Sequence, residues 1–166
     1  MKKYVVLVSA ALLITLLGCK IFADPLQQRV QETDKISADA ILVSDLYAHP
    51  KKYTKFVGQP VTVVGYLDFA NIHDQRKNTY PQEAIALITK PEDPGSAQSV
   101  FAYFAPAANP YPLFDLLYDK ENRIGDKGLA VAVQGTLQSF ERQYNFNSDT
   151  GFVLEGVIPD DVSVLD

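Results

Sequence analysis

The chain of 166 residues carries 15 Lys and Arg against 20 Asp and Glu, is 47% hydrophobic, and has one Cys and no Trp. That length suits one domain, and the hydrophobic share excludes a disordered or collagen-like chain. A single Cys excludes an internal disulfide and any multi-Cys zinc site, so a packed core must supply the stability.

Met1-Lys2-Lys3 is a short cationic start to an apolar run from Tyr4 to Leu17, 14 residues long. A membrane-spanning helix needs about 20 residues, so the run reads as the core of a signal peptide over 1–18. It closes on Leu16-Leu17-Gly18-Cys19, which resembles the lipobox of bacterial lipoproteins. Processing in that family needs a small residue before the cut and a thiol to receive the lipid, and Gly18 and Cys19 supply them. The resemblance implies that Cys19 becomes the first mature residue, carries palmitate-type acyl chains, and anchors the protein to a membrane. Lys20 follows, not the Asp that retains lipoproteins in the inner membrane. The expected place is therefore the outer membrane, with the domain facing the periplasm.

Loss of the leader removes Lys2 and Lys3 and leaves 13 basic against 20 acidic side chains, a net charge of −7. Phosphate backbones need Lys and Arg to neutralise them, so nucleic acid is not an expected partner. Residues 19–36 are polar, with Pro25 early, and read as the lipidated Cys and a flexible tether. The globular domain is expected over 37–166.

That domain opens on the apolar run Ile41-Leu42-Val43, followed by a brief helix with Ser44 as N-cap and Asp45 in its first turn. The helix must end near His49, which precedes Pro50 and is pushed out of helical geometry. Lys51, Lys52 and Lys55 then interleave with Tyr53 and Phe56, a solvated face over aromatic anchors or a docking patch for an acidic partner. Two later segments, Val61–Leu67 and Val131–Leu137, both read V-x-V-x-G-x-L. Period-two spacing puts Val61, Val63, Gly65 and Leu67 on one strand face, and Val131, Val133, Gly135 and Leu137 likewise. A Gly at the same place in each predicts a bend where a curved strand turns a barrel corner.

Strands are expected between them at Ala84–Thr89 and Val100–Ala105. After Asn109-Pro110 comes a helix to about Asp119, with Leu113, Leu116 and Leu117 on one face. Asn145–Gly151 reads as a turn, Phe152–Ile158 as the last main strand, and Val162–Leu165 as an extension. The predicted fold is mainly all-β: a small five-stranded Greek-key barrel with one helix between strands three and four, and a short N-terminal helical segment. That is the order of an OB-fold. The stretch Ile41–Leu67 resembles a recurrent bacterial pattern in which a DLYAxPxKY-like segment, a Gly and a VxVxGYL strand open an OB-like domain. The domain is in this respect similar to the OB domains of envelope lipoproteins. The resemblance is structural and implies no catalytic residue.

Little in the sequence points to chemistry. His49 and His73 stand without a carboxylate or Cys at metal-ligand spacing, and there is no G-x-S-x-G, P-loop or dinucleotide fingerprint. Asn145, Asn147 and Asp149 alternate as in a calcium loop, but the closing Glu is missing. No enzyme activity, cofactor or metal is expected. OB-folds commonly take ligands over strands two and three, between two flanking loops. The first such loop is Ala70–Glu83, with His73, Arg76, Lys77 and Tyr80; the second is Glu141–Thr150, with Arg142, Tyr144 and Phe146. A barrel is expected to bring them to one end, offering the aromatic and Arg anchors that interfaces use. The expected function is a non-enzymatic binding or scaffold module for an envelope protein partner; the alternative is a module for a small ligand or glycan.

Overall fold

The computed structural model of the protein describes residues 39–92, 98–124, 128–144 and 147–165, together with residues 26 and 29. The signal peptide, Cys19, Phe146 and the side chain of Tyr144 lie outside the described residues.

Strand β1 (Ile41–Leu42) runs directly into helix α1 (Val43–Ala48), and α2 (Pro50–Tyr53) follows with a 3-10 turn at Thr54–Phe56. The barrel strands are β2 (Pro60–His73), β3 (Ala84–Ile88), β4 (Ser99–Phe104), β5 (Ala130–Tyr144) and β6 (Asn147–Val157). Helix α3 (Tyr111–Ile124) joins β4 to β5, and β7 (Val162–Leu165) closes the described chain. The sheet order is β1-β2-β3-β4-β6-β5-β7, and an added β2–β5 pairing closes it. Within the closed ring β4 and β6 are parallel, while the other neighbours are antiparallel. This is the five-stranded OB barrel that the order of elements predicts.

Alternation drives the packing. Val63 and Leu67 of β2, Val131, Val133 and Leu137 of β5, and Val100, Ala102 and Phe104 of β4 point inward and are buried in one core. Helix α3 closes the end where β4 finishes: Leu113, Phe114 and Leu117 enter the core, and Phe114 meets Phe104 edge-on at 5.6 Å. Helix α1 closes the other end with Val43 and Leu46. A second cluster lies on the outer face of the sheet, where Leu42, Val64, Tyr66, Ile88, Ala130, Ala132 and Leu165 gather around Leu26. Leu26 falls in the segment expected as a tether, yet it is only 2% exposed.

Four expectations are corrected. The first loop, expected from Ala70, starts only after His73, because residues 70–73 continue β2. Helix α1 begins one residue before Ser44, with Leu42 at the cap and no side-chain cap bond, because pairing with β2 holds Leu42 extended up to the helix start. Helix α3 runs on to Ile124, past Asp119. Within the expected loop Glu141–Thr150, and the turn expected from 145 to 151, residues 141–144 and 147–151 are strand: Glu141 pairs with Thr150, Arg142 with Asp149 and Gln143 with Ser148. Asn and Asp are poor strand residues, but here Arg142 forks onto Asp149 at 3.0 and 2.9 Å and holds the ladder. Next along the hairpin, Phe140 covers its cross-strand partner Gly151, where a Cβ would stand 2.5 Å from the ring.

Candidate functional site

The turn after β2 is built around a buried carboxylate. Asp74 is 0% exposed, and Arg76 forks onto it, Nε to Oδ1 at 3.0 Å and Nη2 to Oδ2 at 2.8 Å. The backbone N–H of Arg76 also donates to Oδ1 at 3.0 Å. The same guanidinium reaches Asp115 of α3 at 2.8 Å and lies 4.6 Å over the Tyr111 ring. Lys77 stands 3.1 Å over the Tyr118 ring. The loop is thereby bound to α3. Hydrogen bonding to Arg76 is the main cause holding the Asp74 carboxyl below its ordinary range, while Asp74 first and Asp115 second raise the guanidinium. Burial, reinforced by Asp74, pushes the Tyr118 hydroxyl up to about 12.

Beside this turn the rings form a row. Tyr80 stacks on His73 at 4.2 Å with 6° between planes, His73 lies 4.9 Å from Phe101, and Phe101 is 6.0 Å from Tyr103. Burial lowers the affinity of His73 for a proton, and Glu83 opposes that shift. His73 Nδ1 and Glu83 Oε1 are buried without a hydrogen-bond partner. The Glu83 carboxylate takes the Gln75 backbone N–H at 3.1 Å and raises the Tyr111 hydroxyl that bonds to it.

Arg142 sits elsewhere. Its side chain is 13% exposed, paired to Asp149, and lies 4.9 Å over the ring of Tyr47 in α1. Tyr47 is itself fixed, its hydroxyl donating to Ser99 O at 2.7 Å and its ring meeting Phe152 edge-on. The two expected binding regions therefore do not converge. Strands β2 and β5 are antiparallel, with Pro60 opposite Thr136 and Tyr66 opposite Ala130. The turn after His73 thus lies where β5 begins, and the β5–β6 tip lies beyond the start of β2. His73, Arg76, Lys77 and Tyr80 are brought together, while Arg142 and the backbone of Tyr144 are at the opposite end.

A third region gathers residues that sequence reasoning read mainly as a solvated face. A groove of about 930 Å³ runs between α1, α2 and the first residues of β2, lined among others by Lys52, Tyr53, Lys55, Phe56, Gln59 and Gln134. Asp39 and Asp45 also line it. Lys52 Nζ lies 4.8 Å over Tyr53 and donates to its hydroxyl at 3.0 Å, and Lys55 lies 5.0 Å over Phe56. Lys51, Lys52 and Lys55 are all exposed.

Phe101 and Tyr103 were overlooked among candidate residues, although their alternation with buried Val100, Ala102 and Phe104 marks them as outward-facing. Asp115, Tyr111 and Tyr118 left no local signal, since their partners come from the turn after β2, whereas Asp74 has its partner Arg76 two residues on. Among the described residues, no group of three or more His, Cys, Asp and Glu could hold a metal ion. Among the same residues, no helix is long and apolar enough to cross a membrane.

Neither a protein-family model nor a curated protein matches the chain. Among solved structures it is similar to the OBody AM3L09 bound to hen egg-white lysozyme, at 15% identity and a TM-score of 0.39, over 68% of this chain and 86% of that one. The OBody AM2EP06, also bound to hen egg-white lysozyme, aligns at 14% identity and a TM-score of 0.37, over 68% and 84%. The Stn1-ten1 complex of S. pombe aligns at 16% identity and a TM-score of 0.29, over 75% and 76%. Strand order and register define the class of this domain as an OB barrel, and these similarities carry nothing about ligands or partners.

Proposed function

We propose that the protein is a lipid-anchored, non-enzymatic binding module of the cell envelope. Cys19 holds it at the outer membrane, facing the periplasm, and its task is to engage an envelope protein partner. The observation that carries this reading is the preformed groove beside α1 and α2. Its wall is the partly exposed ring of Phe56 and the edge of the buried Tyr53, with Lys55 and Lys52 stacked over them. Interface energy concentrates in a few such anchors, and a preformed concave site loses little ordering entropy on binding. The three exposed lysines form a cationic edge on a domain whose balance is acidic, which favours a partner presenting carboxylates there. Arg76 and Arg142 support this choice of site by default, because both are engaged in internal ion pairs.

The test is capture from detergent-solubilised envelopes with the lipidated protein and its Lys51→Glu/Lys52→Glu/Lys55→Glu variant. The variant is expected to lose more than about tenfold of the captured partner, and raised salt to weaken the wild type in the same direction. Equal yields from both would exclude the groove. In parallel, Cys19→Ala should abolish palmitate labelling and release the protein from the outer-membrane fraction. Continued labelling and sedimentation of that variant would remove the anchoring half of the reading.

A further inference from the structure

We propose that the outer face of β4, with the end of β2, is a platform that takes the flat face of a neutral sugar ring. The site is separate from the lysine groove and does not depend on it. Four rings, Tyr80, His73, Phe101 and Tyr103, follow one another at 4.2, 4.9 and 6.0 Å, and each is only partly buried. They stand outside the barrel, since Val100, Ala102 and Phe104 take the inward positions of the same strand. The strand between them carries only small groups: Ala84 is opposite both His73 and Tyr103, and Ala86 is opposite Phe101. On the far side β6 sets the partly buried Val153 opposite Phe101 and, past a register shift beside Tyr103, carries Gly156, with φ 72° and nothing within 4 Å of where a Cβ would stand. The alanines on the β3 side leave the rings as the raised part of that surface. Stacking on Tyr80 holds the His73 ring flat in the row, and burial lowers its affinity for a proton against the opposing pull of Glu83.

Charge decides the class of ligand. A nucleotide needs cations for its phosphates, as well as rings for its base. The two cations of the adjoining turn are committed, Arg76 to Asp74 and Asp115, and Lys77 to the Tyr118 ring. The carboxylate of Glu83 lies close enough to act on His73. Rings whose neighbouring guanidinium is already paired suit the C–H face of an uncharged pyranose, which brings no phosphate to neutralise. The OB barrel admits oligosaccharides as well as oligonucleotides on this face.

The experiment titrates the full-length protein in detergent with chitotetraose, cellotetraose and maltotetraose. Binding is followed by tyrosine fluorescence, which no Trp obscures, and by calorimetry. At least one sugar is expected to bind saturably, with affinity weakened about tenfold or more by Tyr103→Ala, the scale of one lost anchor. Tyr103→Phe should retain most of the binding, because the ring remains. Thermal unfolding of Tyr103→Ala, unchanged within a few degrees, separates a lost contact from a lost fold. Failure of all three sugars to bind would overturn the proposal, as would equal affinities for wild type and a Phe101→Ala/Tyr103→Ala variant. A single-stranded oligothymidine that binds in place of the sugars would overturn it in favour of a nucleic-acid platform. The Lys51/Lys52/Lys55 variant should bind sugar as the wild type does, so either reading can fail without the other.

Discussion

Asp74 is the residue on which the turn after β2 depends. Its carboxylate is buried, and the fork from Arg76 balances its desolvation. Removing Arg76 leaves that charge without its main partner, so Arg76→Ala should lower Tm by several degrees. Arg123→Ala, which breaks the exposed Arg123–Asp119 pair on α3, should change it little. The pH dependence follows from Asp74 itself. Its folded pKa lies below the ordinary 3.8, so at acid pH the unfolded chain binds the proton first and stability falls as pH drops. The stability gap between wild type and Asp74→Asn should therefore be constant from neutral pH to about 5 and close below about 4. Urea unfolding at a series of pH values measures it. A gap that widens below pH 4 would show that the carboxylate is not stabilised in the fold.

At the scale of elements, Gly65 and Gly135 show how far a sequence pattern reaches. On one edge β2 pairs with β1 at Val63 and Val64, then with β3 from Tyr66 onward, and Gly65 is the residue between. On one edge β5 pairs with β7 up to Val133, then with β6 from Thr136, and Gly135 lies in the gap. Each Gly thus marks the corner where a long strand changes neighbour. Neither has a positive φ; what each supplies is room. A Cβ at Gly65 would stand 2.8 Å from Val43 Cγ2 and 3.1 Å from Ile88 O, and one at Gly135 would stand 3.0 Å from Val157 Cγ2. Gly65→Val should cost roughly 1–3 kcal/mol, the usual penalty of overpacking a closed core, measured by urea unfolding. A change within about 0.5 kcal/mol would mean that α1 gives way freely. Such corners, the alternation and the strand order are legible in the sequence because they are local or periodic. The cations are not. Arg76 and Arg142 read as free anchors; Asp74 and Asp149 lie near them in sequence, but the contacts that pin each cation to a helix, Asp115 and Tyr47, come from distant segments and are set by the closed barrel.

For the whole molecule, the question is where the folded unit begins. Residues 19–36 look like a polar spacer because their composition lacks a continuous apolar face. One leucine is enough to alter that reading. Leu26 is 2% exposed and sits with Leu42, Val64, Tyr66 and Ile88 on the outer face of the sheet, a face that OB strands would otherwise give to water. Its side chain thus belongs to the energetics of the domain. Leu26→Ala should destabilise by about 2 kcal/mol, the lower end of the range for a buried leucine, whereas a residue in a free spacer would stay within about 0.5 kcal/mol. Denaturant unfolding of the full chain distinguishes the two. The consequence reaches to the membrane. Six residues lie between Cys19 and Leu26, and the seven Cα–Cα steps that join them span at most about 25 Å when fully extended. A lipid on Cys19 would therefore keep the Leu42–Val64–Ile88 face within that distance of the bilayer surface, even though the polar segment has 18 residues. Leu26→Asp should release this restraint. In the lipidated protein on vesicles, energy transfer from a dye near that face to labelled headgroups should then fall. Unchanged transfer would mean that Leu26 does not set the standing distance of the domain.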